Sequence, residues 1–155
     1  GKQYAYVNKY QPQPGENIAD ANIPLLRLSE AYLNAAEAAV KTGDNATAVT
    51  YLDAIVHRAD PDSTVKGKTL TLANVLNERR KELVAEGHRM YDVMRNGLSI
   101  KREDVEESAI SRTHHDTPYM EYDRTFYMIV LPIPKGEIDA NPNIKQNPGY
   151  WSQVV

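Results

Sequence analysis

The 155-residue sequence predicts a mainly α-helical fold with a few short strands. Two observations predict the helices: apolar residues recur at helical spacing in three stretches, and residues that cap or end helices stand at their boundaries. A third observation, the clustering of Pro and Asn near the C-terminus, predicts an irregular final segment. With 41% hydrophobic and 25% charged residues, the composition is that of a globular domain.

Charge and residue usage exclude several classes of protein. The net charge of -3, with 18 basic residues intermixed among 21 acidic ones, leaves no basic stripe for binding nucleic acid. The absence of cysteine excludes disulfides, thiolate nucleophiles and cysteine-ligated zinc. No apolar run approaches the roughly 20 residues of a membrane span, and residues 1–4 do not resemble a signal peptide. We therefore expect either a cytosolic protein or one whose targeting signal lies upstream of Gly1.

The first helix should follow a strand and a loop. Alternating tyrosines predict a short strand over residues 4–10, and turn-forming residues predict a loop within residues 1–22. Pro24 suits a first helical turn, so a helix is expected from there to Lys41, with Gly43 ending it. The residues of its expected apolar stripe are Leu25, Leu28, Tyr32, Ala35, Ala36 and Ala39.

A second helix should pack antiparallel to the first. Asp44 and Asn45 are its candidate caps, and it must end by Asp60 because Pro61 follows. Its expected apolar face comprises Ala48, Leu52, Ile55 and Ala59. Aromatic, small and glycine residues at these spacings are typical of a tetratricopeptide-like helix pair over residues 23–59. Such pairs stack on neighbours, and no second copy is found here, so further repeats are expected outside this chain.

A third helix should follow a polar linker over residues 60–71. Thr71 is its candidate cap, and it is expected over residues 72–96 with a kink or break near Gly87. Its expected apolar stripe comprises Val75, Leu76, Leu83, Met90 and Val93. The weakly patterned, charged residues 97–125 predict a variable surface insertion that can hold a short exposed helix at residues 101–111.

The last part of the chain should be extended. The apolar run at residues 127–131 predicts a strand, and Pro132 and Pro134 restrict it to a sheet edge or an extended connector. The Asn-Pro and Pro-Gly pairs that follow predict a chain of turns. Residues 126–155 are therefore expected to form an irregular, extended C-terminal segment.

The densest charged stretch, residues 78–92, lies on the third predicted helix. Opposite charges three residues apart can pair there, as Arg79 with Glu82, Glu86 with Arg89, and Arg89 with Asp92. Glu82 and Glu86 could instead serve glycoside hydrolysis, but catalytic carboxylates face each other across a cleft, whereas these share one helical wall. A structural ion network is the favoured interpretation. Its expected members are Glu78, Arg79, Glu82, Glu86, His88, Arg89 and Asp92.

Nothing else in the sequence predicts a catalytic, metal or cofactor site. His88 beside Glu86, and the triplet His114-His115-Asp116, lack the spacing of a metal site such as HExxH. Neither a glycine-rich phosphate loop nor a nucleophile elbow is present. We therefore expect a protein without catalytic residues, metal or cofactor.

The aromatic residues offer candidates for ligand binding. The chain has 10 Tyr against 1 Phe and 1 Trp, and Tyr combines an apolar face with a polar tip. In irregular segments such a ring could stack on a sugar or another flat ligand. For each residue taken singly, packing against the protein is the favoured interpretation. The candidates are Tyr119, Tyr122, Tyr127 and Trp151.

Five blocks, taken in order, resemble the SusD/RagB-like family. They are residues 4–10, 23–38 and 78–92, the motif Leu131-Pro132-Ile133-Pro134, and residues 137–150. Residues 52–59 are also similar to the family's second repeat helix. The linker and residues 97–125 fall outside the resemblance, where the family itself varies.

The resemblance implies the C-terminal portion of a cell-surface lipoprotein of the outer membrane. Such a protein would bind nutrient glycans or peptides without catalysis and deliver them to a TonB-dependent outer-membrane transporter. The remaining repeats, a signal peptide and a lipidated cysteine would then lie upstream of Gly1. The family's ligand contacts are built largely by loops preceding this region, so the resemblance assigns no ligand residue here.

Two alternatives stay open. A freestanding tetratricopeptide-type adaptor would bind protein segments, and it requires a helix-pair face within residues 28–59 that is open to a peptide. A carbohydrate-active enzyme would rest only on Glu82, Glu86 and the tyrosine content.

Overall fold

The computed structural model describes residues 7, 9–17, 21, 23–101 and 121–150, and its fold is mainly helical, as predicted. Its helices are α1 (Leu28–Thr42), α2 (Asn45–Ala59), α3 (Leu72–Glu82), α4 (His88–Arg95) and α5 (Lys135–Ala140). Two short strands, β1 (Ile100–Lys101) and β2 (Glu121–Tyr122), pair antiparallel. Within these ranges no helix combines the length and apolarity that crossing a membrane requires. The chain divides into two compact units, Gly1–Arg89 and Met90–Val155.

Helices α1 and α2 form the predicted tetratricopeptide-like pair. Gly43 ends α1 in the left-handed conformation, with φ of 81°, which glycine adopts without a steric penalty. Asp44 then caps α2, because its side chain accepts a hydrogen bond of 3.0 Å from the Thr47 N–H. Gly43 and Asp44 therefore form the turn between the two helices in the roles predicted for them from the sequence.

The start of α1 differs from the prediction. The helix begins at Leu28, four residues after Pro24, because Arg27 is extended, with φ of −147° and ψ of 151°. Its guanidinium bonds to the carboxylates of Glu82, the last residue of α3, and Glu86, just after it, which holds the backbone outside the helix. As a result Leu25 is 88% exposed and does not belong to the apolar stripe. Leu33, absent from the predicted stripe, is fully buried instead.

The core of the first unit lies where α1, α2 and α3 meet. Its buried residues are Leu33, Ala36, Ala39, Ala48, Leu52, Ile55, Leu70, Val75 and Leu83. Ala59, predicted on the same face, is exposed near the end of α2. The alanine-rich face of the helix pair is thus buried within the chain, which argues against an adaptor that would use it to bind a peptide.

The linker between α2 and α3 is fastened to the pair. The Asp53 carboxylate, buried on α2, accepts hydrogen bonds from Thr64 Oγ1 at 2.5 Å and from the Val65 N–H at 2.8 Å. The Asn45 side chain accepts a hydrogen bond from the Leu70 N–H, and the Leu70 side chain is part of the core. The linker, predicted only as a polar segment, is therefore held against α2 by specific hydrogen bonds.

The helix predicted over residues 72–96 is two helices. Thr71 caps α3 in a reciprocal capping box with Asn74, as its position suggested. The chain then leaves the helical conformation at residues 83–87, where Ala85 and Gly87 have φ of 63° and 80°. The break foreseen near Gly87 therefore separates α3 from α4, and Met90 of the predicted stripe is partly exposed.

The second unit departs most from the sequence prediction. The segment predicted as a strand at residues 127–131 contains a 3-10 turn at Tyr127–Ile129, because its backbone bonds are local. The Ile129 N–H donates to the Phe126 carbonyl, and the Val130 N–H donates to that of Tyr127. Leu131 is 82% exposed, so the apolar run does not form a core strand.

Elements near the predicted insertion and tail also differ. Strands β1 and β2 place Ile100 opposite Tyr122, a pairing that the sequence did not suggest. Lys101, the start of the predicted helix at residues 101–111, is in a strand, and the rest of that helix lies outside the described residues. Helix α5 is an unpredicted turn of helix after the connector through Pro132 and Pro134, and the predicted turns follow it.

The strand predicted over residues 4–10 lies mostly outside the described residues. Of its described residues, Val7 has no regular structure, and Lys9 and Tyr10 form a bend. Both residues of that bend contact the break between α3 and α4, and they take part in the site described next.

Candidate functional site

The break between α3 and α4 leaves backbone carbonyls outside the helical hydrogen-bond pattern. The Glu82 carbonyl accepts hydrogen bonds from Lys9 Nζ at 2.7 Å and from Arg27 Nη2 at 2.5 Å. The Ala85 carbonyl accepts from Tyr10 Oη at 2.9 Å. The residues before α1 are thereby fixed to the end of α3.

The carboxylates of Glu82 and Glu86 bind the same cations. Arg27 Nη1 donates to Glu82 Oε1 at 2.6 Å, and Arg27 Nε and Nη2 each donate to one oxygen of Glu86 at 2.8 Å. Arg58 Nη2 donates to Glu82 Oε2 at 2.6 Å, and Lys9 Nζ donates to Glu86 Oε1. We call these five residues the Glu82–Glu86 network. Each of the four carboxylate oxygens in it accepts a hydrogen bond.

The network keeps both glutamates ionised. Burial raises the pKa of Glu82, but hydrogen bonds from Arg27 and Ser29 and the charges of Arg58 and Arg27 outweigh it, so that pKa is lowered. Burial likewise raises the pKa of Glu86, but hydrogen bonds and charges from Arg27 and Lys9 lower it overall. Neither carboxylic group can then store the proton that a general acid must donate near neutral pH. The arrangement is suited to fastening chain segments together.

Four of the other five residues expected in this ion network have separate partners. Lys81 pairs with Glu78 at 3.0 Å, and Arg95 pairs with Asp92 at 2.7 Å. The buried Arg79 donates to Asn34 Oδ1 at 2.6 Å. His88 Nδ1 lies 3.7 Å from Glu30 Oε1, and Arg89 is exposed.

The sequence prediction missed the partners of Glu82 and Glu86. It paired them with Arg79 and Arg89 on the same helix, whereas the cations that bond them come from the segment before α1 and from α2. Helical spacing can reveal only neighbours on one helix. No signal in the sequence marked Lys9, Arg27 or Arg58.

Two of the four aromatic candidates fall in the described part of the chain. Tyr122, Phe126, Tyr127 and Tyr150 form a row, with successive ring centroids 5.6, 5.3 and 5.0 Å apart. Tyr150 Oη also donates to the Val130 carbonyl at 2.6 Å. Tyr122 and Tyr127 are thus brought together through Phe126, which the sequence did not single out, while Tyr119 and Trp151 lie outside the described residues.

Among the described residues, no group of His, Asp or Glu side chains is arranged to hold a metal ion. The triplet His114-His115-Asp116 lies outside them.

Fold and site together define a class of helical scaffold: it contains a tetratricopeptide-like helix pair, the Glu82–Glu86 network that bonds segments of the same chain to one another, and a row of aromatic rings in the second unit. The chain belongs to the SusD family, whose model matches residues 2–150.

Known relatives are much longer than this chain. The starch-binding protein SusD of Bacteroides thetaiotaomicron is 32% identical over 148 residues, which are 94% of this chain and 24% of that protein. A SusD-like protein of Formosa agariphila is 30% identical over 147 residues, or 88% of this chain and 26% of that protein. The chain therefore spans about a quarter of the length of these curated relatives.

Two crystal structures of Bacteroides vulgatus proteins resemble the fold. One is a candidate sugar-binding protein that is 75% identical to this chain, with a TM-score of 0.86. The match covers 95% of this chain and 33% of the chain in that crystal structure. The other, of a SusD superfamily protein, is 44% identical with a TM-score of 0.72, over 84% of this chain and 28% of its own.

Proposed function

We propose that the protein containing this chain binds nutrient glycans at the cell surface, without catalysis, for delivery to a TonB-dependent outer-membrane transporter. The observation that carries the proposal is the 75% identity to a candidate sugar-binding protein over 95% of this chain. The name of the more distant relative, a starch-binding protein, favours glycans over peptides as the ligand class.

The absence of catalysis is supported by the Glu82–Glu86 network. A glycosidase needs one protonated carboxyl group and a second carboxylate on the far side of the bond to be cleaved. Here both groups bond to the same Arg27 guanidinium, are ionised, and have their oxygens occupied by Arg27, Lys9 and Arg58. Substitution of either glutamate should therefore lower the stability of the protein more than it lowers its affinity for a ligand.

The protein containing this chain would lie on the outer membrane, anchored by a lipidated N-terminal cysteine. Within the chain, Tyr122 and Tyr127 are the proposed ligand contacts, together with Tyr119 and Trp151. Peptides are the second ligand class that the family resemblance allows.

A binding array tests the ligand class. The full-length protein would be applied to immobilised glycans and peptides, and hits measured by calorimetry with soluble oligosaccharides. We expect at least one oligosaccharide to bind and to remain unshortened after prolonged incubation, as checked by chromatography. Cleavage of the oligosaccharide, or binding of peptides alone, would contradict the proposal.

Copurification tests the partner and the location. The tagged full-length protein, extracted from its own cells in mild detergent, should sediment with outer membranes and bring down a barrel transporter. An untagged strain processed in parallel is the control. Recovery only from the cytosol would overturn the proposed location and partner.

A further inference from the structure

The second unit contains a cleft at one end of the β1–β2 pair. Its volume is about 450 Å³, within the range of roughly 300–1,000 Å³ that is typical of small-molecule sites. Its lining residues are Ser99, Glu121, Tyr122, Asp123, Thr125 and Phe126. Aromatic and acidic residues therefore line one space that can hold a small ligand.

The aromatic wall of the cleft is formed by Tyr122 and Phe126. Their ring centroids are 5.6 Å apart, with the ring planes tilted by 44°, and both side chains are half-buried. Tyr122 is positioned by strand β2, opposite Ile100, and Phe126 packs edge-on against Tyr127. Strand pairing and the contact with Tyr127 thus hold the two rings in place. They offer apolar ring surface of the kind that stacks on flat, apolar ligand faces.

The acidic wall is formed by Glu121 and Asp123. Glu121 Oε1 accepts a hydrogen bond from Ser99 Oγ at 2.8 Å, and Asp123 Oδ1 accepts from the Thr125 N–H at 2.7 Å and from Thr125 Oγ1. In these bonds each carboxylate uses one of its two oxygens. Hydrogen bonds from Thr125 also lower the pKa of Asp123, so it is ionised at neutral pH. Each carboxylate can therefore accept a strong hydrogen bond from a ligand hydroxyl.

We infer that this cleft is a subsite for one neutral sugar ring, with Tyr122 and Phe126 stacked on its apolar face and Glu121 and Asp123 accepting from its hydroxyls. The inference rests on the proposed function and deepens it by assigning residues to the ligand. A cationic peptide side chain is the competing occupant of a cleft lined by two acidic residues, and the charge of Arg124 already acts on one of them, Asp123.

Calorimetry on the full-length protein tests the subsite. The probes are maltoheptaose, cellohexaose, xylohexaose and a lysine-glycine heptapeptide. For the oligosaccharide that binds, Tyr122→Ala and Phe126→Ala should each raise Kd by at least about tenfold. Tyr122→Phe keeps the ring and should stay within about twofold. Tyr91→Ala is the matched control, because Tyr91 is 73% exposed on α4 and does not line the cleft.

A shape-conserving variant covers the case in which an alanine variant unfolds. Asp123→Asn keeps the acceptor for Thr125 and removes the charge, and it should raise Kd by about fivefold while circular dichroism shows an unchanged melting temperature. If sugar binding is intact in Asp123→Asn and in every folded cleft variant, the subsite is overturned and the proposed function stands. If no oligosaccharide binds the wild type, the proposed function falls and the subsite with it. Binding of the heptapeptide alone, lost in Asp123→Asn, overturns the sugar subsite in favour of a cation site.

Discussion

The two units of the chain are stabilised by different interactions. Among the described residues, every buried apolar side chain except Val93 belongs to the first unit, where three helices enclose a core. In the second unit, side-chain amides bond to backbone: Gln146 accepts from the Ile133 N–H and donates to its carbonyl, and Asn147 donates to the Leu131 carbonyl. The first unit therefore depends on apolar burial, whereas the second depends on directional bonds.

This difference bears on function. Segments with few buried apolar contacts open locally at lower free energy than a packed core, and mobile ligand-binding segments are drawn from them. The aromatic row and the proposed sugar subsite both lie in the second unit. We therefore expect the first unit to act as scaffold and the second to supply ligand contacts.

The largest effect should come from the core of the first unit. Leu33→Ala removes a fully buried side chain and should lower the free energy of unfolding by about 4 kcal/mol, measured by urea denaturation. Leu26→Ala is the matched control, because Leu26 is 88% exposed, and it should change stability by less than about 0.5 kcal/mol. Equal losses in the two variants would mean that the core does not dominate this unit.

A pair of glycines compares the two units directly. Gly149 and Gly15 both have φ of 92°, but an added Cβ would meet Tyr127 Cβ and Cγ at 2.7 Å at Gly149 and nothing within 4 Å at Gly15. Gly15→Ala should cost about 1 kcal/mol for the backbone conformation alone. Gly149→Ala should cost about 3 kcal/mol, because overpacking adds to that strain. Similar urea midpoints for the two variants would show that the close approach of Tyr127 to Gly149 does not add to the cost of the substitution.

Removal of Arg27 should have the next largest effect. Arg27→Ala leaves Glu82 and Glu86 with fewer partners in a mostly enclosed site, and should lower the free energy of unfolding by about 2 kcal/mol. Arg58→Ala is the control, since that side chain is 59% exposed and its pair with Glu82 should be worth under about 1 kcal/mol. A larger loss for Arg58→Ala would contradict the central role given to Arg27.

Protonation of the Glu82–Glu86 network should have the smallest effect on the free energy of unfolding near neutral pH. The effect should grow as the pH falls. The folded-state pKa values of Glu82 and Glu86 lie below the ordinary 4.5, so folding favours their ionised forms. Their contribution is full above that ordinary value and is lost as the pH falls through the lowered folded-state values.

Urea midpoints measured from about pH 6 to about pH 3 would show this loss. The Glu82→Gln, Glu86→Gln double variant should have a shallower pH dependence than wild type. Asp139→Asn, which removes an exposed carboxylate outside the network, is the matched control. Further slope common to all variants comes from aspartates whose pKa values are also lowered: Asp44, Asp53, Asp60 and Asp123. An unchanged slope in the double variant would mean that the network does not govern the acid response.

Much of the first unit could be predicted from sequence because its signals are local. Gly43, Asp44 and Thr71 cap or end helices through bonds to residues within four positions, and α2 ends before Pro61 as expected. The candidate site was less predictable. Tyr122 was identified as a surface aromatic, but Phe126, which completes the same wall, carried no signal of its own.

Periodicity and caps act within one or two turns of helix, so the helical class, the tetratricopeptide-like pair and the break near Gly87 could all be predicted from the sequence. The start of α1 and the cations that bind Glu82 and Glu86 depend on tertiary contacts. Those cations lie 24 to 77 residues away along the chain, and spacing on one helix contains no information about side chains brought to it by folding. Local bonds can be predicted from neighbours, whereas long-range pairs exist only once the core has placed both partners.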